Sequence, residues 1–183
     1  MTAVWASLGL ASIFAWVIAS LAGLVLPPLW AVGLGAGIGL ALAFGLPGTL
    51  GVGGMMALLT PLGIMLPALA LRHLGLKLGV PFAPFATWEL AVFLLLYTGF
   101  LASAFGVLPL ELYRLGYAPL PVAVMVLAVC CYGFATGNWL LPLVAVLGQA
   151  AWVMGWGSSN WFDYVLHAML WPVALIVLVG RLI

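Results

Sequence analysis

The chain has 183 residues, of which 68% are hydrophobic and 4% are charged, with a formal net charge of +1. Soluble domains contain about 25% charged residues, and they expose only small apolar patches. This composition excludes a water-soluble globule and indicates a protein whose solvent is lipid. The four basic residues are scattered along the chain, which also excludes a nucleic-acid-binding surface.

Long intervals without a formally charged residue set the number of predicted membrane spans. Residues 1–71, 90–110, 115–162 and 164–180 are such intervals. At about 20 residues per crossing, they predict seven helices, with six as the alternative. The predicted spans are residues 3–26, 29–44, 50–71, 86–108, 119–135, 138–156 and 160–181. Because irregular backbone cannot face lipid, the expected fold is an all-α transmembrane helix bundle that forms one integral membrane domain over residues 1–183, without a soluble domain.

The second and fifth predicted spans are shorter than the others. Gly and Pro flank both of them, and the segment 45–54 is too rich in glycine to favour a helix. Either span is therefore compatible with a tilted or re-entrant helix. A six-span arrangement would follow if one of them did not cross the membrane.

The basic residues predict the orientation in the membrane. Arg72 and Lys77 share the connection between the third and fourth spans, and an excess of Lys and Arg marks a cytoplasmic loop. Seven spans then place the N-terminus outside and Arg181, at the other end of the chain, inside. We expect the protein to be integral to a cell membrane, which would be the plasma or inner membrane in a bacterium.

Two stripes of small residues predict close helix packing. Small residues at four-residue spacing let helix backbones approach each other in lipid, where hydrophobic attraction between helices is absent. The stripes consist of Ala11, Ala15 and Ala19 on the first span and Gly33, Gly35, Gly37 and Gly39 on the second. They are candidate contacts within the bundle, with a second copy or with another membrane protein.

Asp163 and His167 form the first candidate site, because they lie four residues apart in the seventh predicted span. On one continuous helix they would share a face, about 6 Å apart along the axis. A carboxylate beside an imidazole suits ligand binding or proton relay. Two plainer interpretations stay open. Asn160 and Asp163 have the spacing of a helix cap, and His167 is compatible with a hydrogen-bonded interior histidine.

Four further residues are candidates for ligand contacts or proton relay. Gln149 lies near the middle of the sixth span, where an amide without a partner would be costly, so an interhelical hydrogen bond or a ligand is expected. Glu89 lies in the first turn of the fourth span, where the helix dipole also explains a carboxylate. Trp152 and Trp171 lie inside spans, where they either pack between helices or line a site for an apolar ligand.

The remaining motifs do not indicate an enzyme. The two histidines are predicted at opposite faces of a bilayer core about 30 Å thick, too far apart to ligate one haem. Glu89 and Asp163 are also predicted on opposite sides, which excludes a pair of catalytic carboxylates. Cys130 and Cys131 are adjacent in an apolar run and are expected to pack inertly. No particular cofactor is indicated.

Two functions remain. The first is a carrier or binding protein for a small neutral or apolar molecule, with the candidate residues above lining its site. The second is a non-catalytic structural or assembly subunit of a larger membrane complex, such as a respiratory or photosynthetic one, whose apolar surface is covered by partners. The near absence of loops fits the second function, and the buried polar groups fit the first.

Overall fold

The computed structural model describes residues 2–46, 49–59 and 63–183, and within these ranges the chain is helical, without a strand. The α-helices are α1 (Thr2–Ala22), α2 (Pro28–Gly45), α3 (Leu50–Leu59), α4 (Met65–Lys77), α5 (Thr87–Ala104), α6 (Pro119–Thr136), α7 (Leu140–Val153), α8 (Phe162–Val165) and α9 (Leu170–Leu182). A 3₁₀ helix, Leu112–Tyr117, lies between α5 and α6. The prediction of an all-α protein is confirmed.

Four helices in the described ranges are long and apolar enough to cross a membrane. They are Val4–Ala22, Pro28–Gly45, Thr87–Ala104 and Pro119–Thr136. The helices α7 and α9 are apolar but have only 14 and 13 residues, which at about 1.5 Å per residue makes each about 20 Å long. Four long apolar helices support a membrane protein, whereas the number of seven spans stays a prediction.

Interruptions occur in different spans from those expected. The second and fifth predicted spans correspond to α2 and α6, which are unbroken helices of 18 residues each and long enough to cross a membrane, so neither shows the break expected of a re-entrant piece. The third predicted span is instead divided between α3 and α4. The seventh is divided between α8 and α9, with four non-helical residues, 166–169, between them.

Proline explains where several helices begin. A proline ring has no N–H to donate and clashes with the carbonyl four residues earlier, so it is tolerated in the first turn but not deeper in a helix. Five helices carry a proline within their first three residues, namely Pro28 in α2, Pro67 in α4, Pro119 in α6, Pro142 in α7 and Pro172 in α9. Pro172 therefore prevents α9 from extending back through Ala168 into α8.

The chain forms two compact units, Met1–Phe82 and Ala83–Ile183, which we call unit 1 and unit 2. The single integral domain expected from the sequence stays a prediction. In unit 1, α1 and α2 are antiparallel and pack very closely. A Cβ atom built on Gly35 would lie 2.5 Å from the Ala15 carbonyl oxygen, and one on Gly39 would lie 2.6 Å from the Ala11 carbonyl oxygen. Close approach thus requires glycine at both positions.

The two glycine faces of α2 differ. Gly35 and Gly39 are buried against the alanine stripe of α1, so these residues pack within the chain. In contrast, Cβ atoms built on Gly33 and Gly37 would meet no described atom within 4 Å. Contact with a second copy or another protein stays a prediction, and the face of Gly33 and Gly37 is the part of the glycine stripe that is open to it.

Unit 2 contains α5 to α9 and the 3₁₀ helix. Its core combines Val122 and Val126 of α6, Ala145 of α7 and Trp161, which directly precedes α8. The connection between α5 and α6 contacts the segment before α8, because the backbone N–H of Trp161 donates a hydrogen bond to the Gly116 carbonyl at 2.9 Å. At the other end of the unit, the Arg181 guanidinium donates to the Phe85 carbonyl at 2.5 Å. These two contacts place α8 beside the 3₁₀ helix and the end of α9 beside the start of α5.

Candidate functional site

A polar cluster surrounds Asp163 in unit 2. The Tyr113 hydroxyl donates to both carboxylate oxygens, at 2.7 and 2.8 Å, and the Ser158 hydroxyl donates to Oδ2 at 2.5 Å. Ser158 Oγ in turn accepts a hydrogen bond from the Asn160 N–H at 3.0 Å. We call Tyr113, Ser158, Asn160 and Asp163 the Asp163 cluster. It joins the 3₁₀ helix to the segment that begins α8.

Asn160 is the most deeply buried member of the cluster, with no exposed surface. Its Nδ2 donates to the Tyr113 carbonyl at 2.8 Å, and its Oδ1 accepts from the Phe162 N–H at 2.9 Å. A Cβ atom built on Gly116 would lie 2.0 Å from Asn160 Oδ1, so the amide fits only against a glycine. Both ends of this side chain therefore serve to dock α8.

Aromatic rings enclose the cluster and shape its electrostatics. Phe162 packs against Phe100 of α5, with centroids 4.6 Å apart, and against Tyr113 at 6.4 Å. Tyr113 lies in the connection between two candidate spans. Burial, followed by the hydrogen bond and negative charge of Asp163, raises the pKa of the Tyr113 phenol above its ordinary value. The phenol therefore stays protonated and acts as a hydrogen-bond donor.

The predicted pairing of Asp163 with His167 assumed one continuous helix, and that condition is not met. The helix α8 ends at Val165, and Leu166 is extended, with φ −98° and ψ 155°. Among the described residues, Asp163 accepts hydrogen bonds only from Tyr113 and Ser158. Its carboxylate does not cap the helix, because the side chain that accepts from the Phe162 N–H is that of Asn160. A role of Asp163 in ligand binding or proton relay stays a prediction.

His167 is buried in the non-helical segment between α8 and α9. Its Nδ1 accepts a hydrogen bond from the Met169 N–H at 3.1 Å. Accepting this bond requires Nδ1 to be unprotonated, so the neutral imidazole carries its proton on Nε2. The ring thus helps to fix the turn that leads into α9.

Gln149 and Trp161 carry polar atoms that have no hydrogen-bond partner in the part of the chain that the structure describes. Trp161 is 4% exposed, and its indole N–H is buried. A Cβ atom built on Gly148 of α7 would lie 3.5 Å from Trp161 Nε1 and 2.5 Å from Val165 Cγ2. Gln149 follows Gly148 and is half-buried, and no hydrogen bond of its amide exists among the described residues. The interhelical hydrogen bond expected for Gln149 is therefore absent from these residues.

The other three predicted site residues are held by contacts within unit 2. Trp152 Nε1 donates to the Ser159 carbonyl at 2.8 Å, and Trp171 Nε1 donates to Thr98 Oγ1 at 2.8 Å. Glu89 lies in the first turn of α5, where it accepts a hydrogen bond from the Tyr132 hydroxyl of α6. The sequence could not have revealed the pairings of Trp171 and Glu89, because their partners lie 73 and 43 residues away along the chain.

The structure divides the predicted site residues into two groups. One group lies on α7 (Gln149 and Trp152), on α8 (Asp163) and in the segment that follows α8 (His167). The other group consists of Glu89 on α5 and Trp171 on α9. No group of three His, Cys, Asp or Glu side chains among the described residues could hold a metal ion. Comparison with protein families, with curated proteins and with solved structures finds no match for this chain. The function therefore has to be argued from the residues.

Proposed function

We propose that the protein binds a small neutral or apolar molecule in unit 2 and carries it across the membrane, at the contact between α7 and α8. The observation that supports this proposal most is a pair of polar groups that have no hydrogen-bond partner among the described residues, the buried Trp161 indole N–H and the half-buried Gln149 amide. An unsatisfied buried polar group costs about 1–3 kcal/mol. A bound molecule that offers a hydrogen-bonding group would recover part of that cost.

The surroundings favour an apolar ligand body. Trp161 packs with Val122, Val126 and Ala145, and Trp152 lies against the same cluster. Four non-helical residues follow α8, and His167 is buried among them. Backbone of this kind inside a membrane is tolerated where it is buried in protein or lines a cavity, and broken helices form the substrate sites of many carriers.

Charge at this place favours a neutral molecule. The nearest carboxylate along the chain, Asp163, already accepts hydrogen bonds from two hydroxyl groups, and no Lys or Arg lies between residues 115 and 180. An anionic substrate would thus have no opposite charge on these segments, and the one carboxylate that could attract a cation is already hydrogen-bonded to two side chains. An apolar molecule with one carbonyl or hydroxyl group matches an indole donor and an amide.

A binding assay tests this proposal. The chain is purified in a mild neutral detergent and titrated with cyclohexanol, cyclohexanone and benzyl alcohol, and with cyclohexane and benzene as counterparts that lack a polar group. We expect a saturable change of tryptophan fluorescence with at least one oxygen-bearing compound, and uptake of that compound into proteoliposomes. Gln149→Leu should abolish the preference for the oxygen-bearing member of a matched pair.

Trp161→Phe and Trp139→Phe form a matched pair of variants. Both remove one indole, but Trp139 is 70% exposed and packs on Phe134. W161F should weaken binding and W139F should not. If every compound gives only the linear response of micelle partitioning, the proposal is wrong. Stoichiometric co-purification of other membrane proteins, with instability of the isolated chain, would favour the alternative of a structural or assembly subunit.

We further infer seven crossings, with α3 and the first half of α4 as one broken crossing, and α8 and α9 as another. The N-terminus would then lie outside and Arg181 inside. Labelling of single cysteines at positions 136 and 157, in a chain whose native Cys130 and Cys131 are replaced by Ala, tests whether α7 crosses. Reaction of both cysteines from the same side of the membrane would contradict this topology.

A further inference from the structure

The positive charge of unit 1 is concentrated at one place. Residues 1–82 contain no Asp or Glu, and their only ionisable basic side chains are Arg72, His73 and Lys77, all on α4. Arg72 and Lys77 are half-buried and His73 is exposed. These three residues, which we call the basic cluster, therefore form a cationic end of unit 1 that is open to the surroundings.

Contacts within unit 1 place the basic cluster at the C-terminal ends of two helices. The His73 ring meets Trp16 of α1 edge-on, with centroids 6.2 Å apart. Lys77 Nζ lies 3.0 Å from the position of a Cβ built on Gly23, next to the last turn of α1. α1 and α4 therefore run parallel and end together. Each helix C-terminus contributes roughly half a negative elementary charge. The two ends together therefore do not neutralise the positive charge of the basic cluster.

The chain after α4 folds back over the cluster. It turns at Gly79, with φ 84°, and the Val80 N–H donates to the Gly75 carbonyl at 2.9 Å. Phe82 then lies with its ring centroid 5.8 Å from the Arg72 guanidinium carbon. Aromatic rings thus flank the basic cluster on two sides, and one of them is a tryptophan, a residue enriched at the level of lipid headgroups.

The carboxylates of the chain are engaged elsewhere. Glu89 binds Tyr132, Glu111 pairs with Arg114 at 3.2 Å, and Asp163 belongs to the Asp163 cluster, all in unit 2. Desolvation, and then the positive charges of Lys77 and Arg72, lower the pKa of His73, and the neighbouring Arg72 and Lys77 cations repel each other. An external anion would relieve this repulsion.

We propose that Arg72, His73 and Lys77 form a binding site for a phosphate group, supplied by the headgroup of an anionic phospholipid, at the joined ends of α1 and α4. Basic side chains between membrane helices are suited to such headgroups. The acyl chains would lie along the apolar outer surface of the same helices, which a free phosphate ion cannot use. This site is independent of the ligand proposed for unit 2.

Titration of the purified full chain in neutral detergent tests the proposal. Phosphatidylglycerol should raise the Tm saturably, and phosphatidylcholine at the same mole fraction should not. Lys77→Gln should weaken the apparent affinity for phosphatidylglycerol about fivefold, since one cation near a membrane surface contributes about 1 kcal/mol. Lys77→Arg should keep the affinity, and the Tm in detergent alone shows whether each variant is folded.

Arg114→Gln is the matched control, because it removes the same charge from an exposed ion pair, in which the Arg114 side chain is 80% exposed. It should leave the affinity unchanged. Equal affinity of the K77Q and R114Q variants, or an equal Tm rise with phosphatidylcholine, would overturn the proposal. A Tm rise of the same size with inorganic phosphate alone would overturn the assignment to a lipid and leave a site for soluble phosphate.

Discussion

Alanine substitution on α2 offers the most direct test of the packing in unit 1. Gly39→Ala adds a Cβ 2.6 Å from the Ala11 carbonyl oxygen and 2.8 Å from the Ala15 nitrogen. Both contacts are to backbone, so no side chain can rotate away. Because non-bonded atoms prefer separations of about 3.5–4.0 Å, α1 and α2 would have to separate by roughly 1 Å. Gly37→Ala on the same helix meets open space.

The expected magnitudes separate the two variants clearly. Each exchange of Gly for Ala favours the helix by about 1 kcal/mol, whereas overpacking costs about 1–3 kcal/mol. G37A should therefore be up to about 1 kcal/mol more stable than the original chain, and G39A up to about 2 kcal/mol less stable.

Reversible unfolding in mixed micelles, followed by far-UV circular dichroism, measures the difference between the two variants. Gly35→Ala should behave like G39A, because its Cβ would lie 2.5 Å from the Ala15 carbonyl oxygen. If G39A proved as stable as G37A, the close approach of α1 and α2 would be refuted.

Three further predictions concern the Asp163 cluster and the basic cluster. Tyr113→Phe should destabilise the protein by about 1–3 kcal/mol, and a double-mutant cycle with Asp163→Ala, which removes the acceptor, should show a coupling energy, whereas additive effects would contradict the hydrogen bond. Gly116→Ala should displace Asn160 and lower the free energy of unfolding by at least about 3 kcal/mol, because overpacking and lost hydrogen bonds act together. Unfolding in micelles would measure this loss. His73 lies beyond the predicted third span, and desolvation and then two neighbouring cations lower its pKa from 6.5. The folded state therefore resists protonation of His73 more than the unfolded state does. The free energy of unfolding should be highest above pH 6.5 and should decrease as the pH falls from 6.5 through the lowered pKa. His73→Gln should remove that dependence from unfolding curves recorded without anionic lipid.

Hydropathy predicted the long helices well, because a charge-free run of suitable length leaves the chain few alternatives in lipid. The predicted spans 86–108 and 119–135 match α5 and α6 closely. Hydropathy does not report helix continuity, and the breaks in the third and seventh spans were therefore missed. A signal was present, since Pro67 and Pro172 each stand in the first turn of the helix that follows a break.

The candidate site was only partly readable from the sequence. Asp163 and His167 stood out as ionisable groups in an apolar run, and Gln149 as a buried amide. Tyr113 and Ser158 bind the Asp163 carboxylate, but neither is distinctive in the sequence. Tyr113 in particular lies 50 residues from Asp163. Side chains that meet through tertiary packing cannot be found from local spacing. The unpartnered indole of Trp161 likewise depends on how α8 packs against α7.

The docking of α8 by Asn160 bears on the order in which unit 2 assembles. The amide that binds the Tyr113 carbonyl is made 47 residues after its acceptor, and the Trp161 N–H that binds the Gly116 carbonyl follows it directly. During synthesis α5, α6 and α7 are therefore made before these two donors, and until then the intervening 3₁₀ helix lacks them. Final closure of this half of the protein must wait for Asn160, so a nascent chain halted before that residue would keep those two carbonyls available to water or to a chaperone.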